Sequence, residues 1–441
     1  METASKPEKV VKAAPIPSSF LDHVKSIGPG LVAVLTWLGA GDIVNSATAG
    51  GNYGYALMWA FALCLIIRYL FVSIIAKYQL CNQYGESVLG GLTRLHRLYA
   101  PFVFVCSLIL GHAVGTYMLA GMASAAGKLT RFENIRFWAV AICLLAFSIA
   151  SRPLYRRLEK VFFLLAGLLT VSLIGLAIWS GPSPAGIVKG VFGFAVPAQI
   201  GRFDAIFIML ALVGSVGGGL ANLMYPYFAR EKGWTTPAHR RVQRYDLIFG
   251  IVVLIVLDLS VWVVGAEVLH AKGLHISTIE DLAMLLGEAL GVFGINLFYL
   301  GIVAALFGPI VGNGAAFGYL AADAWFHFRP EVSAAYGGEY KRHPVYRWVA
   351  SWVILSPLIW VLWGHVDFIG LTLIVNAAQV VSIPLLVTVL WIITARSKYI
   401  GAKYKNRWWE NLFVGFLLLL GLVSAFFSLQ SAAEKIGALF R

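Results

Sequence analysis

An aspartate and an asparagine stand among glycines inside an apolar part of this sequence, in the stretch GAGDIVN at residues 39–45. An acidic side chain at the centre of a bilayer costs about 2.5–3.5 kcal/mol even on the most lenient insertion scales. No basic residue is near Asp42 in the chain. A carboxylate, the Asn45 amide and carbonyls freed near Gly39 would supply the oxygen ligands that a hard cation prefers. The stretch therefore predicts that Asp42 binds, and is neutralised by, a cation.

A second apolar stretch, GSVGGGLAN at residues 214–222, contains three consecutive glycines. Each glycine weakens a helix by about 1 kcal/mol relative to alanine, so this run favours local unwinding. Unwound backbone at membrane depth is tolerated where it lines a cavity, which would add the carbonyl of Val216, the backbone at Gly219 and the Asn222 amide to the predicted site. The alternative is that these glycines only allow close packing of helices.

The composition is that of a membrane protein that crosses the bilayer many times. Of 441 residues, 59% are hydrophobic and only 12% are charged, and the mean hydropathy is +0.80. Runs long enough to cross a bilayer predict eleven spans. They lie near residues 28–53, 55–80, 99–126, 135–151, 160–180, 204–229, 245–266, 290–322, 347–363, 367–395 and 409–430.

The two glycine-rich stretches lie in predicted spans one and six, and this spacing indicates an inverted repeat. Two interrupted spans in corresponding positions point to a transporter with its binding site at mid-membrane. Residues 1–18 are polar and predict a disordered cytosolic tail, followed by one transmembrane transporter domain, 19–441. Its repeats are expected at about 25–180 and 204–396, with an extra helix at about 409–430.

The net charge of +13 is distributed as in a cell-membrane protein, not as in a nucleic-acid-binding protein. About three quarters of the 34 Lys and Arg residues fall in the amino-terminal tail and in the loops after even-numbered spans. The positive-inside rule therefore predicts a cytosolic amino terminus and an external carboxyl terminus, with the basic clusters facing anionic lipid. Four scattered cysteines predict neither a disulfide nor a metal site. No nucleotide-binding loop or catalytic triad is present, and neither a cofactor, an enzymatic activity nor an obligatory protein partner is expected.

The first-span region, IGPGLVAVLTWLGAGDIVNSATAGGNYGYALMWAFAL, resembles that of the NRAMP (natural resistance-associated macrophage protein) metal-ion transporters, whose motif there is Asp-Pro-Gly-Asn. Asp42 and Asn45 match the ends of this motif, whereas Ile43 and Val44 replace its centre. The stretch ALFGPIVGNGAAFGYLAADAW in span eight is also compatible, so that the resemblance covers about residues 25–430. It implies an all-α, LeuT-type fold of five plus five helices with an eleventh added, helices one and six unwound, and divalent-metal transport that is usually proton-coupled.

The departures from the family pattern bear on the ion and on its coupling. In span six the family has Met-Pro-His-Asn, and alignment on Asn222 gives Gly219-Leu220-Ala221-Asn222 in this chain. Glycine therefore replaces the methionine, the soft thioether ligand, and alanine replaces the histidine. In span three, Ile109 and His112 stand where the family has two acidic residues. In span nine, Ser351 stands where the family has an arginine. Oxygen ligands suit Mg²⁺, which retains several waters, and the sequence thus resembles the divergent NRAMP-related magnesium transporters.

These departures predict uptake of Mg²⁺, with Mn²⁺ and Al³⁺ as further candidates, driven by the membrane potential without protons. The alternatives are a proton-coupled Mn²⁺ or Fe²⁺ symporter and a sodium-coupled carrier of organic solutes with the same fold. An intramembrane enzyme is a further alternative, because GAGD at residues 39–42 spells a short motif of intramembrane proteases.

Several other polar residues are candidates for the site. In span ten, the metal-facing glutamine of the family corresponds either to Gln379 or to Asn376, which lie on one helical face. Asp258 in span seven is a second intramembrane acid that either pairs with His112 or Arg68 or lines the ion route. Four acidic residues near the external face either concentrate cations or are solvated: Glu267, Glu280, Asp281 and Glu288.

Overall fold

The fold is a bundle of α-helices, as seen in a computed structural model that describes residues 13–28, 40–150, 155–217, 219–331, 336, 339–364 and 367–439. Short 3₁₀ and π segments interrupt some of the helices. In chain order, the α-helices of the described residues are α1 Phe20–Ser26, α2 Ala40–Tyr53, α3 Met58–Cys81, α4 Val88–Leu95, α5 Tyr99–Thr130, α6 Ile135–Ala150, α7 Tyr155–Trp179, α8 Pro184–Phe192, α9 Ala205–Leu212, α10 Tyr225–Glu231, α11 Arg240–Val264, α12 Ile279–Phe328, α13 Pro344–Leu355, α14 Leu358–Trp363, α15 Phe368–Gln379, α16 Ile383–Ala395, α17 Ser397–Ile400 and α18 Trp408–Leu439.

Each of the eleven predicted apolar runs coincides with helical structure. Within the described residues, 8 helical stretches are long and apolar enough to cross a membrane, and α7 with α8 form a further candidate that bends by 104°. The two remaining runs correspond to shorter helices, α2 and α6. The boundaries differ most in span eight, where Gly291 has φ 59° and ψ −144°. The positive φ angle favours glycine, the chain turns at this residue, and a short helix precedes the span.

Span six is interrupted, as its glycine run predicts. Helix α9 ends at Leu212, a π-helical turn follows at Val213–Gly217, and a 3₁₀ helix at Leu220–Met224 leads into α10. Gly219, between these turns, has φ −127° and ψ −145°, which is outside the helical region. Such a backbone cannot continue the α-helical hydrogen-bond ladder, so that carbonyls of this span become available to other groups.

Of predicted span one, the structure describes residue 28, which is not helical, and residues 40–53, which form α2. The predicted break at residues 39–45 is wrong for 40–45, which belong to α2, and Gly39 lies outside the described residues. The reason is local: after Gly41 this stretch lacks the consecutive glycines of span six. Asp42 and Asn45 therefore project from a regular helix, and the ligands expected from this stretch are side chains.

Glycines bring spans one and seven into backbone contact. A Cβ atom placed on Gly50 would lie 2.3 Å from the Trp262 carbonyl oxygen, and one on Gly265 would lie 2.8 Å from the Gly51 nitrogen. Only glycine permits such an approach, which is common where transmembrane helices pack closely. This contact holds α2, which carries Asp42, directly against α11, which carries Asp258.

The amino-terminal segment contacts the start of span seven. Of the predicted tail, residues 1–12 lie outside the described residues, whereas the Ala14 amide donates a hydrogen bond to the Gly233 carbonyl at 2.9 Å. The Gly28 amide donates to Asp246 Oδ1 at 2.8 Å. Both contacts join segments that the charge distribution predicts to be cytosolic.

Candidate metal site

Asp42 is buried in the bundle, where it faces an arginine. Its side chain is 1% exposed, and Oδ2 lies 3.5 Å from Nη1 of Arg68, which is 2% exposed. Arg68 is on α3, the second span, and reaches the carboxylate from a neighbouring helix. No basic residue is near Asp42 in the sequence, and folding brings this arginine to it from another helix.

Ser215 links the interrupted part of span six to both spans one and two. Its carbonyl oxygen accepts a hydrogen bond from Arg68 Nη2 at 2.5 Å, which uses backbone that the π-helical turn leaves available. Its hydroxyl oxygen accepts one from Asn45 Nδ2 at 2.6 Å. The Asn45 amide also donates to the Ala211 carbonyl at 3.3 Å, whereas its Oδ1 has no hydrogen-bond partner. Asn45 thus keeps an oxygen available while its nitrogen is fixed.

Asn222 presents a buried amide without partners on the other side of the break. The residue is 1% exposed, and neither Oδ1 nor Nδ2 has a hydrogen-bond partner. Burying an amide without hydrogen bonds costs about 1–3 kcal/mol by mutational measures, so that such a group indicates a missing partner. Val216 and Gly219 are also buried in this segment.

Asn376 and Gln379 connect the two halves of the site. A Cβ atom placed on Gly41 would lie 3.2 Å from Nδ2 of Asn376, so this amide packs against span one at the residue before Asp42. A Cβ placed on Gly219 would lie 3.4 Å from the Gln379 carbonyl oxygen. Gln379 Nε2 donates to Asn376 Oδ1 at 3.2 Å. The two candidates from span ten are therefore neighbours that join span one to span six.

Asp258 lies in the same buried region and has no hydrogen-bond partner. It is 0% exposed, and neither carboxylate oxygen accepts a hydrogen bond. It is close enough to Asp42 and Arg68 for both of their charges to act on it. The sequence left open whether Asp258 pairs with His112 or Arg68 or lines the ion route. It lies near Arg68 without a hydrogen bond to it, and a role in the ion route stays a prediction.

Cys64, one of the four cysteines for which the sequence predicts no metal site, lies near the candidate site. A Cβ placed on Gly217 would lie 3.7 Å from Cys64 Sγ, and the thiol is buried. It precedes Arg68 by one helical turn, so both side chains leave α3 on the same face. This spacing was the available signal, but it becomes informative only once Arg68 is known to face Asp42.

His112 is held by two hydrogen bonds away from Asp258. Nε2 accepts from the indole nitrogen of Trp360 at 2.6 Å, so that Nδ1 carries the proton and donates to Ser356 Oγ at 2.8 Å. A neutral imidazole with both nitrogens occupied fits a packing role. The alternative pairing of His112 with Asp258 is therefore wrong.

Each of the four acidic residues predicted to lie near the external face has a structural partner. Glu267 accepts from the Tyr55 hydroxyl at 2.7 Å, and Glu280 lies 2.9 Å from Lys128 Nζ. Asp281 forms the capping box that begins α12, and Glu288 pairs with Lys272. These contacts give each of the four carboxylates a role in local structure, and cation concentration by them stays a prediction.

The arrangement offers the Asp42 carboxylate, several amides and a second buried carboxylate, Asp258, nearby. Within the ranges that the structure describes, no three His, Cys, Asp or Glu side chains converge. Asp42 with the oxygens of Asn45, Asn222 and Asn376 would suit a hard or borderline divalent ion that keeps part of its water. Arg68 would have to move for such an ion to reach Asp42, because its charge has the same sign.

Comparison with known proteins gives consistent matches along nearly the whole chain. The family described as "Natural resistance-associated macrophage protein-like" matches residues 30–430. The divalent metal cation transporter MntH of Chromohalobacter salexigens is 25% identical over 313 residues, which are 65% of this chain and 68% of that protein.

Solved structures match at lower identity. The Eremococcus coleocola manganese transporter, solved with an aromatic bis-isothiourea compound, has a TM-score of 0.71 at 18% identity, covering 95% of this chain and 89% of that one. MhsT, solved with L-phenylalanine, has a TM-score of 0.54 at 15% identity, covering 95% and 100%. These likenesses show the fold, and the predicted LeuT-type inverted repeat with an eleventh helix is confirmed.

Proposed function

Because this chain belongs to the Nramp family, we propose that it carries a divalent metal ion across the cell membrane by alternating access, and that it is not an enzyme. The carboxylate of Asp42 on span one and the unpartnered amide of Asn222 on span six carry this proposal. Both are buried at the break of span six, where a transporter of this fold places its substrate. MntH is named as a divalent metal cation transporter and the Eremococcus coleocola protein as a manganese transporter, and the membrane-spanning helices agree with a multi-pass location.

The ligand set that we propose contains Asp42 as the charged member and amide oxygens as the others. Asn45, Asn222, Asn376 and Gln379 would contribute side-chain oxygens. The carbonyl of Val216, the backbone at Gly219 and that of Gly39, which lies outside the described residues, complete the set predicted from the sequence. Hard oxygen donors favour Mg²⁺, and we therefore propose Mg²⁺ as the main ion, with Mn²⁺ also carried.

The buried thiol of Cys64 favours a second candidate, transport of Mn²⁺ or Fe²⁺. It stands next to Gly217 and could supply a soft ligand from span two in place of the family's methionine from span six. The two candidates differ in the expected effect of replacing Cys64 by serine. If oxygens select the ion, Cys64→Ser leaves the preference for Mg²⁺ unchanged, whereas a thiol ligand would make the same variant lose Mn²⁺ transport.

We expect Gly219→Met to shift selectivity toward Mn²⁺ and Cd²⁺ relative to Mg²⁺ by about tenfold, because a thioether is a soft ligand. The backbone at this position has negative φ, and a Cβ would meet its neighbours at 3.4 Å or more, so the side chain can be accommodated. Uptake of each ion into liposomes that contain the purified protein measures the shift.

Gly175→Met is the matched control, since a Cβ placed there meets nothing within 4 Å. Wild-type protein that moves none of these ions faster than empty vesicles would reject the transporter proposal. Wild-type protein that carries Cd²⁺ and ignores Mg²⁺ would reject the oxygen-selected site alone.

For orientation, we propose a cytosolic amino terminus and an external carboxyl terminus. The distribution of Lys and Arg supports this, because basic loops stay on the cytosolic side. His275 lies between spans seven and eight and Ser397 lies after span ten, and both are exposed. In intact cells, a membrane-impermeant maleimide should label His275→Cys and not Ser397→Cys. The reverse pattern would invert the topology.

A further inference from the structure

We propose that the Arg68 guanidinium is a resident counter-ion of the metal site, which neutralises Asp42 when no metal is bound and shifts toward Asp258 when a divalent ion takes its place. This inference rests on the proposed function, since it assigns Arg68 as a residue that determines which cations can enter. It explains why three ionisable groups share one buried region of the membrane.

Arg68 is positioned to occupy the place of a cation. Its Nη1 atom points to Asp42 Oδ2 at 3.5 Å, and its Nη2 atom donates to the Ser215 carbonyl oxygen at 2.5 Å. A carboxylate from span one and a carbonyl from the break of span six are the same kinds of ligand that a metal ion would use here. The guanidinium thus occupies the position proposed for the transported ion, because it has a positive charge and contacts the same kinds of oxygen.

A metal ion cannot simply join this arrangement. An ion coordinated to Asp42 would lie within a few ångströms of Nη1, and like charges at that distance repel strongly where water is largely excluded. A divalent ion is attracted to the carboxylate with twice the charge of the guanidinium, whereas Na⁺ has only the same charge. Displacement of Arg68 therefore favours divalent over monovalent cations.

Asp258 is the acceptor that the structure offers to the displaced guanidinium. Both of its carboxylate oxygens are buried without a hydrogen-bond donor, although the residue is 0% exposed. It lies close enough for the charges of Arg68 and Asp42 to act on it. Leaving a buried guanidinium without a partner would be costly, so a second buried carboxylate nearby makes metal binding at Asp42 possible.

The test is Mn²⁺ binding to the purified full-length protein in detergent, measured by isothermal titration calorimetry. We expect Arg68→Gln to bind Mn²⁺ at least about tenfold more tightly, a difference of about 1.4 kcal/mol, because a competing cation has been removed. We expect Asp258→Asn to bind at least about tenfold more weakly, because the guanidinium has lost its alternative partner. The double variant Arg68→Gln/Asp258→Asn should bind as tightly as Arg68→Gln.

Sodium provides a readout that a purely structural role of Arg68 would not change. About 0.15 M NaCl, compared with the same ionic strength of a bulky organic cation, should leave Mn²⁺ binding by the wild type unchanged and weaken binding by Arg68→Gln several-fold. If Arg68→Gln does not fold, Asp258→Asn decides the matter, since it only removes a buried charge. Unchanged Mn²⁺ affinity of that variant would overturn the proposal.

Failure of this inference can be told apart from failure of the proposed function. If Asp42→Asn binds Mn²⁺ as tightly as the wild type, the metal site itself is misassigned. If Asp42→Asn abolishes binding while Arg68→Gln binds no more tightly than the wild type, only the counter-ion role is rejected. A double variant that binds more weakly than Arg68→Gln would make Asp258 a direct metal ligand and overturn its role as acceptor.

Discussion

Asp42→Ala protein in liposomes should take up Mg²⁺ and Mn²⁺ at less than about a hundredth of the wild-type rate. This loss corresponds to at least about 2.7 kcal/mol less stabilisation of the ion during transport. That is a modest amount for removing the charged ligand of a divalent ion from a buried site. The amides of Asn45 and Asn222 would remain, but neutral oxygens alone do not replace the attraction of a carboxylate. Uptake measured with ion-sensitive dyes gives the rate.

The control for this experiment follows from the contact with Arg68. Removing one partner of a buried ion pair costs about 3–5 kcal/mol, because the other charge is left uncompensated. We therefore expect Asp42→Ala to be less stable than the wild type, and a transport defect alone would not identify a ligand. The double variant Asp42→Asn/Arg68→Gln removes both charges and leaves two neutral amide side chains that can form a hydrogen bond with each other.

We expect this double variant to elute as a folded protein on size exclusion and still to transport no metal. If it carries Mg²⁺ or Mn²⁺ near the wild-type rate, Asp42 is not the metal ligand, and its role is to neutralise Arg68. A folded but inactive double variant separates the two roles that one carboxylate has in this structure.

The helices of this chain could be predicted well from the sequence, and the physical reason is the bilayer. A lipid environment demands long apolar segments with internally satisfied backbones, so that composition alone locates them. The break in span six was predictable for a similar reason, because consecutive glycines remove both helix propensity and side-chain packing. Gly291 is one of several separated glycines in a long apolar run, and the turn there depends on its positive φ angle, which composition does not indicate.

The site was predicted in part, and the missing parts are contacts between distant segments. Asp42, Asn45 and Asn222 were identified because polar residues are conspicuous in apolar spans. Arg68 was not assigned to Asp42, because the two are on different helices and no spacing rule relates them. The same limit applies to Asn376 and Gln379, for which helical spacing gave a shared face but not the hydrogen bond that makes them neighbours.

For the driving force, we expect transport by this protein to follow the membrane potential and to move no protons. The potential supplies about 2.3 kcal/mol per elementary charge per 100 mV, so a divalent ion gains about 4.6 kcal/mol. That energy sustains roughly a 2,000-fold concentration ratio, which makes coupling to protons unnecessary for uptake. A potassium gradient with valinomycin sets the potential in liposomes, and reversing it should reverse the direction of metal accumulation.

The structure supports this expectation through His112. Proton symport needs titratable groups that connect the metal site to the aqueous phase. His112 is the candidate that the sequence retains at a position where the family has an acid, but Trp360 and Ser356 occupy both of its ring nitrogens. We therefore expect His112→Gln, which can donate to and accept from the same two partners, to transport metal at nearly the wild-type rate.

Asp258 is the remaining intramembrane acid that could bind a proton when the metal leaves. If Arg68 alternates between Asp42 and Asp258, the charge that compensates metal entry is supplied within the protein, and no proton has to be exchanged with solvent. A pH-sensitive dye inside the liposomes tests this directly, with the potential clamped so that protons cannot follow passively. Metal-dependent acidification by the wild type that is absent with Asp42→Ala and in empty vesicles would overturn uniport. Its persistence in His112→Gln and loss in Asp258→Asn would then identify Asp258 as the group that carries the proton.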